Sequence, residues 1–369
     1  VSGYRSPLLA RPGAVEGGGP DAGVALHYGD PVHEQRALER GAGVVDLSHL
    51  DVVTVSGPDR ITWLNTLSTQ LLLDLAPGEP RDLLLLDPQG RIEHAAGVQD
   101  DGERAWLITD AGRAGALTAF LESMRFMLRV EVRDVSAEVA VLGTCGSGWE
   151  TLADGPGYRL TWRDPWPRTG AGSTRYGPPD DEHPGHAVAR AFTVVDRPAL
   201  VAAVDAAPGL RLAGTWAWEA LRVEAWRPRL AREVDERSIP HELDWLRTGV
   251  HLAKGCYRGQ ETVARVVNLG RPPRRLVLLH LDGSDHLVPE PGAAVHHAGR
   301  AVGVVTSVVR HADLGPLALA LVKRSLPVDA PLDVDGTAAA QEVIVPAGGE
   351  AVARPAERPG QELRRHLPR

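Results

Sequence analysis

Lys254-Gly255-Cys256-Tyr257-Arg258-Gly259-Gln260-Glu261 gathers reactive and conformationally special residues into one short stretch. A thiol stands between two cations, Lys254 and Arg258, and nearby positive charge favours the thiolate, the form that reacts. Gly255 and Gly259 flank the Cys-Tyr pair and let the backbone take positive φ or come close to a ligand. Gln260 and Glu261 add an amide and a carboxylate a few residues on. A lone cysteine also has a structural reading as a small buried hydrophobe, so the stretch by itself leaves both roles open.

Outward from it, composition sets the frame. At 369 residues the chain exceeds the size at which one core stops growing, so two or three domains are expected. Its 43% hydrophobic and 24% charged residues are those of an ordinary soluble globular protein, and its 40 Gly and 29 Pro point to many turns. A net charge of -8 opposes affinity for phosphate backbones, so no direct nucleic-acid partner is expected. Cys145 and Cys256 are the only cysteines and neither sits in a Cys-x-x-Cys pair. They build neither a disulfide framework nor a four-cysteine cluster site within one chain, which fits a reducing, cytoplasmic setting. The longest apolar runs, Leu83 to Leu86 and Leu317 to Val322, fall far short of the ~20 residues that span a bilayer, so no membrane partner is expected. Residues 1–27, with Gly17-Gly18-Gly19-Pro20, read as a flexible leader rather than a signal peptide.

An α+β pattern fills residues 28–143. A short helix from His33 to Arg40 leads to a β-branched strand, Val52 to Val55. Ser56-Gly57-Pro58-Asp59 opens a helix whose apolar face is Ile61, Leu64, Leu67 and Leu71. Leu83 to Leu86, the turn Asp87-Pro88-Gln89-Gly90 and residues 91–99 read as a hairpin, followed by a strand from Ala105 to Thr109. Asp110 is the expected cap of a helix with Leu117, Phe120, Leu121, Met124 and Leu128 on one face. Strands at 129–135 and 138–142 close the region. A second α+β region, 144–269, holds a Pro/Gly-rich surface loop from Asp164 to His186, helices at 198–207 and from Thr215 toward Trp226, the cysteine stretch, and a helix at 262–268. His183 and His186 in that loop read as solvated, and no metal site is expected. Six short β-type runs with turn residues between them make 270–346 a small antiparallel β-barrel. Residues 347–369, Pro-, Gly- and Arg-rich, read as a disordered tail.

Lys-Gly-Cys-Tyr-x-Gly-Gln-Glu followed by Val263-Ala264-Arg265 resembles the signature of the YgfZ family, folate-binding proteins of iron-sulfur cluster maintenance related to the T-protein (aminomethyltransferase) of glycine cleavage. The resemblance covers roughly Tyr28 to Val345 without the Pro/Gly-rich loop. It implies a ring-like arrangement of α+β domains with the barrel behind, tetrahydrofolate or another reduced folate at the centre, and iron-sulfur client enzymes or assembly factors as partners. It makes Cys256 the functional thiol, with Lys254 and Arg258 beside it. It places Glu224, in Leu221-Arg222-Val223-Glu224, on the pterin, whose amino group and ring N–H suit one carboxylate. Arg222, Tyr257, Gln260 and Glu261 join it as cofactor-binding residues, and Ile239-Pro240-His241-Glu242 also echoes the family. Where T-proteins carry Gly-x-Ile-x-Asp, this chain has Gly90-Arg91-Ile92-Glu93-His94, so His94 stands in place of the catalytic acid and aminomethyl transfer is not expected. The alternatives are a folate-dependent aminomethyltransferase and a folate-binding module without thiol chemistry.

Overall fold

The expected hairpin organises the first sheet. In the computed structural model, which describes residues 3–284 and 288–356, strands Pro80–Leu86 and Ile92–Asp100 pair antiparallel around a turn that Gly90 completes at φ 79°. The sheet has five strands, the others being Arg104–Thr109, Asp51–Ser56 and Glu131–Asp134. Side chains alternate across it, as the two-residue period of a strand requires. Leu83, Leu85, Ala96 and Val98 meet the helices Arg60–Leu67 and Ala114–Ser123. Leu84, Leu86 and Ala95 join a different core, shared with Trp245, Tyr257 and the outer face of the barrel. Both faces of the hairpin are therefore covered, which is why it reads as a nearly unbroken apolar run.

The second five-stranded sheet has the order Tyr158–Arg163, Arg190–Asp196, Val139–Cys145, Gly43–Asp46, Arg211–Ala213, the last pair being parallel. The expected boundary at 143/144 falls inside its central strand, and the sheet draws Gly43–Asp46 from the first region. Pairing between distant segments leaves no local mark in a sequence. Helix Thr215–Glu224 buries Ala217, Trp218 and Leu221 against this sheet.

The C-terminal unit is a closed six-stranded antiparallel barrel, ordered Arg274–Leu281, Gly315–Lys323, Arg300–His311, Ala294–His297, Leu332–Val334, Thr337–Val343. Alternation again divides the work. Val277, Leu279, Ala318 and Ala320 fill one core with Val295, while Leu276, Leu278, Leu317, Leu319 and Leu321 pack onto the core that contains Tyr257.

Several expectations are corrected. Residues 3–27 are a docked segment instead of a flexible leader: Leu8 is fully buried, Ser6 Oγ donates to Asp46, and Asp21 forms an ion pair with Arg229 and a hydrogen bond with His49 Nε2. Glycine and proline content suggested freedom there, but buried side-chain anchors outweigh it. Helix Ala114–Ser123 is capped from outside, by Asp51 Oδ2 accepting from Ala114 N–H at 2.7 Å, while Asp110 accepts from Arg229 and Ala231. Leu71 lies beyond the end of helix Arg60–Leu67, and Met124 and Leu128 are exposed.

The stretch 164–186 is irregular but no surface loop. Trp166, Thr174, Tyr176 and His183 are buried, and Arg247 pins the stretch through Asp180 and the carbonyls of Pro167 and Pro178. His183 packs edge-on against Trp166 and Trp226, and burial holds its pKa down to about 3. Of the expected disordered tail, residues 347–356 are docked: Val352 N–H donates to Arg175 O, Ala353 N–H to Thr174 Oγ1, and Ala351 is buried. The remainder of that tail, 357–369, lies outside the described residues.

Candidate functional site

A cavity lies between the two sheets, the helix Thr215–Glu224 and the segment that follows it. Its walls are apolar and aromatic, with Leu47, Leu50, Ile108, Trp162, Phe192 and Trp218 among them. Trp162 stacks on Phe192 at 5.3 Å and lies over Gly97, where a methyl group would stand 2.6 Å from the indole. Strand Ile92–Asp100 gives the cavity Ala95, Ala96 and Gly97. A residue with a side chain at 97 would displace the indole that closes this wall.

Charged groups occupy the rest of the lining: Asp82, Asp110, Glu219, Arg190, Arg222, Arg227 and Arg229. Local backbone explains their convergence. Glu219 and Arg222 are one helical turn apart on one face. At Trp226 the chain turns through the left-handed region, φ 54°, and Arg227 N–H reaches back to Arg222 O. Arg222 Nε contacts both oxygens of Glu219 at 3.0 Å, and its other nitrogens reach Glu233 and Ser307. Arg229 pairs with Asp110, Asp21 and Glu219. Arg227 sits 3.0 Å from both Asp82 and Asp164. Burial raises the Glu219 pKa, but Arg222 and Arg229 outweigh it and hold the carboxyl below its ordinary value. Burial dominates at Asp82, which is raised despite Arg227. Arg190, stacked 4.6 Å over Trp218 with Asp164 3.7 Å away, is pulled down to about 10 by burial.

This composition suits a flat polar heterocycle: aromatic walls for its faces, carboxylates and guanidinium groups for its edge. Sequence reasoning missed most of these residues. The usable signal was charge in apolar surroundings, such as Asp82 beside Leu83-Leu84-Leu85-Leu86, since charged residues are almost never fully buried without a partner.

The cysteine stretch lies outside the cavity lining. Cys256 is exposed and Tyr257 is in the core. Lys254 turns away from the expected role beside the sulfur: its Nζ donates to the carbonyl oxygens of Asn65, Ser68 and Gln70, at the C-terminal end of helix Arg60–Leu67. Carbonyls exposed by a helix end attract a cation, and the ammonium also lies 5.4 Å from the Tyr257 ring centre. Its burial brings the pKa down to about 8. Arg258 pairs with Glu93 at 2.9 Å and covers Phe120. Gln260 Nε2 donates to Lys254 O at 3.4 Å, and Glu261 is exposed. Gly259, φ 84°, presses against the hairpin turn, where a methyl group would meet Asp87 O at 2.6 Å. Gly255 has open space and no positive φ.

Of the residues expected on the cofactor, Arg222 lines the cavity and Glu224 does not. Two residues on a helix lie about 200° apart, so the helix that turns Arg222 inward turns Glu224 away, where its carboxylate meets His311 Nε2 at 3.1 Å. Tyr257, Gln260 and Glu261 also stand apart from the lining. His94 packs against Phe120 on the helix-covered face of its strand, with its pKa lowered to about 4 by burial, and Ala95 takes the cavity-facing position beside it. His241 is a buried core residue touching Tyr176 and Val263 O. Among the described residues no cluster of three or more potential metal ligands occurs, and no helix is long and apolar enough to cross a membrane.

The comparisons with known proteins agree with this architecture. Residues 27–152 match the model of the GCVT N-terminal domain, and residues 274–352 match that of the CAF17 C-terminal beta-barrel domain. The crystal structure of the glycine cleavage system aminomethyltransferase T from Bartonella henselae superposes with a TM-score of 0.73 at 21% identity, over 92% of this chain and 96% of that one. Among relatives by sequence, a putative chloroplastic transferase of Arabidopsis thaliana is 27% identical over 77% of this chain, which spans 66% of that protein's length. The aminomethyltransferase of Moorella thermoacetica is 29% identical over 81% of this chain and 83% of its own. That of Symbiobacterium thermophilum is 27% identical over 77% and 79%. The fold is thus the α+β fold of the GcvT-like proteins, completed by a closed antiparallel barrel. The chain has the architecture of the YgfZ/CAF17 family within them, a GCVT domain in front and a CAF17 barrel behind.

Proposed function

We propose that the protein binds a reduced folate, tetrahydrofolate or a one-carbon derivative, in the cavity between its sheets. The observation that carries this reading is the lining itself: stacked aromatics and paired carboxylates and arginines around one cavity of a GcvT-like fold. Asp82, Asp110 and Glu219 supply acceptors for the amino and ring N–H groups of a pterin, Arg227 and Arg229 supply donors for its carbonyl and ring nitrogens, and Trp218 and Ile108 exclude water. Reduced folate carries and activates one-carbon units; the protein's part is to bind, orient and shield it. Calorimetric titration with tetrahydrofolate tests the reading, and absence of both heat and tryptophan fluorescence change at millimolar ligand overturns it.

Two uses of the bound folate are distinguishable. Folate-dependent aminomethyl transfer is supported by the relatives, several of which are named aminomethyltransferases. Against it stands strand Ile92–Asp100, which offers the cavity Ala95 and Gly97 in place of an acid. Support of iron-sulfur cluster assembly or repair in client enzymes is favoured by the exposed thiol of Cys256 in a loop anchored on both sides, within the stretch that resembles the YgfZ signature. A reconstituted glycine cleavage reaction and the activities of iron-sulfur enzymes in cells carrying Cys256→Ala separate them. Turnover like that of a T-protein selects the first; loss of cluster-enzyme activity with folate affinity retained selects the second.

A further inference from the structure

The three carboxylates of the cavity are not equivalent. Both oxygens of Glu219 contact Arg222, and each oxygen of Asp110 already accepts a hydrogen bond, one from Arg229 and one from Ala231 N–H. Asp82 directs everything to one oxygen. Its Oδ2 accepts from Trp245 Nε1 at 2.7 Å, from Thr248 Oγ1 at 2.7 Å and lies 3.0 Å from Arg227 Nη2. Its Oδ1 accepts no hydrogen bond from the described residues, although Asp82 is 2% exposed and lines the cavity. Arg227, the cation of the same pair, is 6% exposed, and its Nη1 is buried without a partner among the described residues. A buried donor left unmade costs on the order of 1–3 kcal/mol, so a ligand edge that meets Arg227 Nη1 recovers it, and the open Oδ1 of Asp82 stands free to accept beside it.

We propose that Asp82 and Arg227 together read the lactam edge of the ligand's pyrimidinone ring, Asp82 Oδ1 accepting the ring N–H and Arg227 Nη1 donating to the adjacent carbonyl oxygen. This deepens the reduced-folate reading and rests on it. It moves the reading of the heterocycle from the helix Thr215–Glu224 to strand Pro80–Leu86 and the turn after Trp226. The remaining contacts of the pair explain how it is held ready. Trp245 and Thr248 fix Oδ2, and Asp164 with the faces of Trp166 and Trp245 fixes the guanidinium. An edge with a donor beside an acceptor is accepted, and one whose ring nitrogen is methylated meets Oδ1 with no proton to offer.

The test pairs a variant with an altered ligand, so that a general loss of packing cancels. Tetrahydrofolate and its N3-methyl analogue are titrated into the full chain and into Asp82→Asn, with melting curves run alongside. The expected result is that the wild type prefers tetrahydrofolate by at least about tenfold, within the range that an unmet buried hydrogen bond supplies, and that Asp82→Asn loses that preference while still binding the analogue. Equal discrimination by both proteins overturns the assignment to Asp82. If Asp82→Asn fails to fold, Arg227→Lys, which keeps the charge and removes the fork, is measured instead, with the same loss of preference expected and an unchanged preference overturning the proposal. Absence of binding of either ligand to the wild type overturns the folate reading itself, a result distinct from binding without discrimination.

Discussion

Replacing Lys254 by Met removes the ammonium that serves three main-chain carbonyls and keeps most of the side chain's bulk. In the protein Nζ is the common donor to Asn65 O, Ser68 O and Gln70 O. The backbone around them is already committed: Thr69 N–H donates to Leu84 O, His251 N–H to Thr69 O, and Gln70 Nε2 to Thr248 O at 2.5 Å. The carbonyls therefore have little freedom to find other donors. At ~1–3 kcal/mol for a buried group left unsatisfied, with entering water recovering part of it, the loss is about 3 kcal/mol. For a large cooperative unit that corresponds to a fall in melting temperature of roughly 5–10 °C. The loss should also be local, because Lys254 and the Gly259 contact are the two fixings on either side of Cys256. Hydrogen exchange followed by mass spectrometry should show residues 253–259 exchanging faster in Lys254→Met, and calorimetry should show the lower melting temperature. A variant that melts with the wild type and exchanges at the same rate would refute the account of Lys254 as the anchor of this loop.

Cys256 should alkylate faster than Cys145 at neutral pH, because Cys145 is buried and its pKa is pushed up to about 12; time-resolved alkylation with mass spectrometry decides, and equal rates would remove the basis for a thiol role. His241 is buried with its pKa lowered to about 4 by burial, so between ~6.5 and that value the unfolded chain binds a proton that the folded one does not. Stability should therefore fall as pH drops through this window, by up to about 1.4 kcal/mol per pH unit from this residue. Urea midpoints measured at about pH 7 and pH 5 test this, and a His241→Gln variant should show a shallower dependence. Gly259→Ala should lower the urea midpoint by an amount equivalent to ~1–3 kcal/mol, since its φ of 84° and the 2.6 Å approach to Asp87 O both oppose a side chain; an unchanged midpoint would mean that the loop shifts without cost.

Elements whose signal is local were legible. The hairpin turn Asp87-Pro88-Gln89-Gly90, the closely spaced β-runs of the barrel and the periodic helix Gln260–Asn268 all announce themselves through turn residues or apolar spacing. What escaped depends on partners far away in the chain. Gly17 to Asp21 look free until Asp21 meets Arg229 more than two hundred residues later. Lys254 looks like a neighbour of the thiol until helix Arg60–Leu67 offers it carbonyls. The cysteine stretch pointed to the family, yet the cavity is built by residues without a local motif, Asp82, Arg190, Arg227 and Arg229. Glu224 was drawn into the site by its sequence neighbours, and the twist of one helix takes it out again.

The parallel pairing of Gly43–Asp46 with Arg211–Ala213 has a consequence for how the chain reaches its native state. A ribosome releases the first strand long before its edge neighbour exists, and the intervening polypeptide includes the whole of the other five-stranded sheet. That other sheet, all of whose strands lie between residues 51 and 134, has every strand it needs for pairing as soon as it emerges. Gly43–Asp46 can pair early with Val139–Cys145 but must leave its second edge open until residue 213 has been made. Closing so long a loop costs chain entropy before any contact repays it, which slows the step and leaves a strand edge exposed meanwhile. Nascent chains stalled before residue 211 should therefore carry one sheet paired but with its Leu84, Leu86 and Ala95 face still uncovered, and a second sheet with an open edge, making that interval the period in which this protein most needs a chaperone.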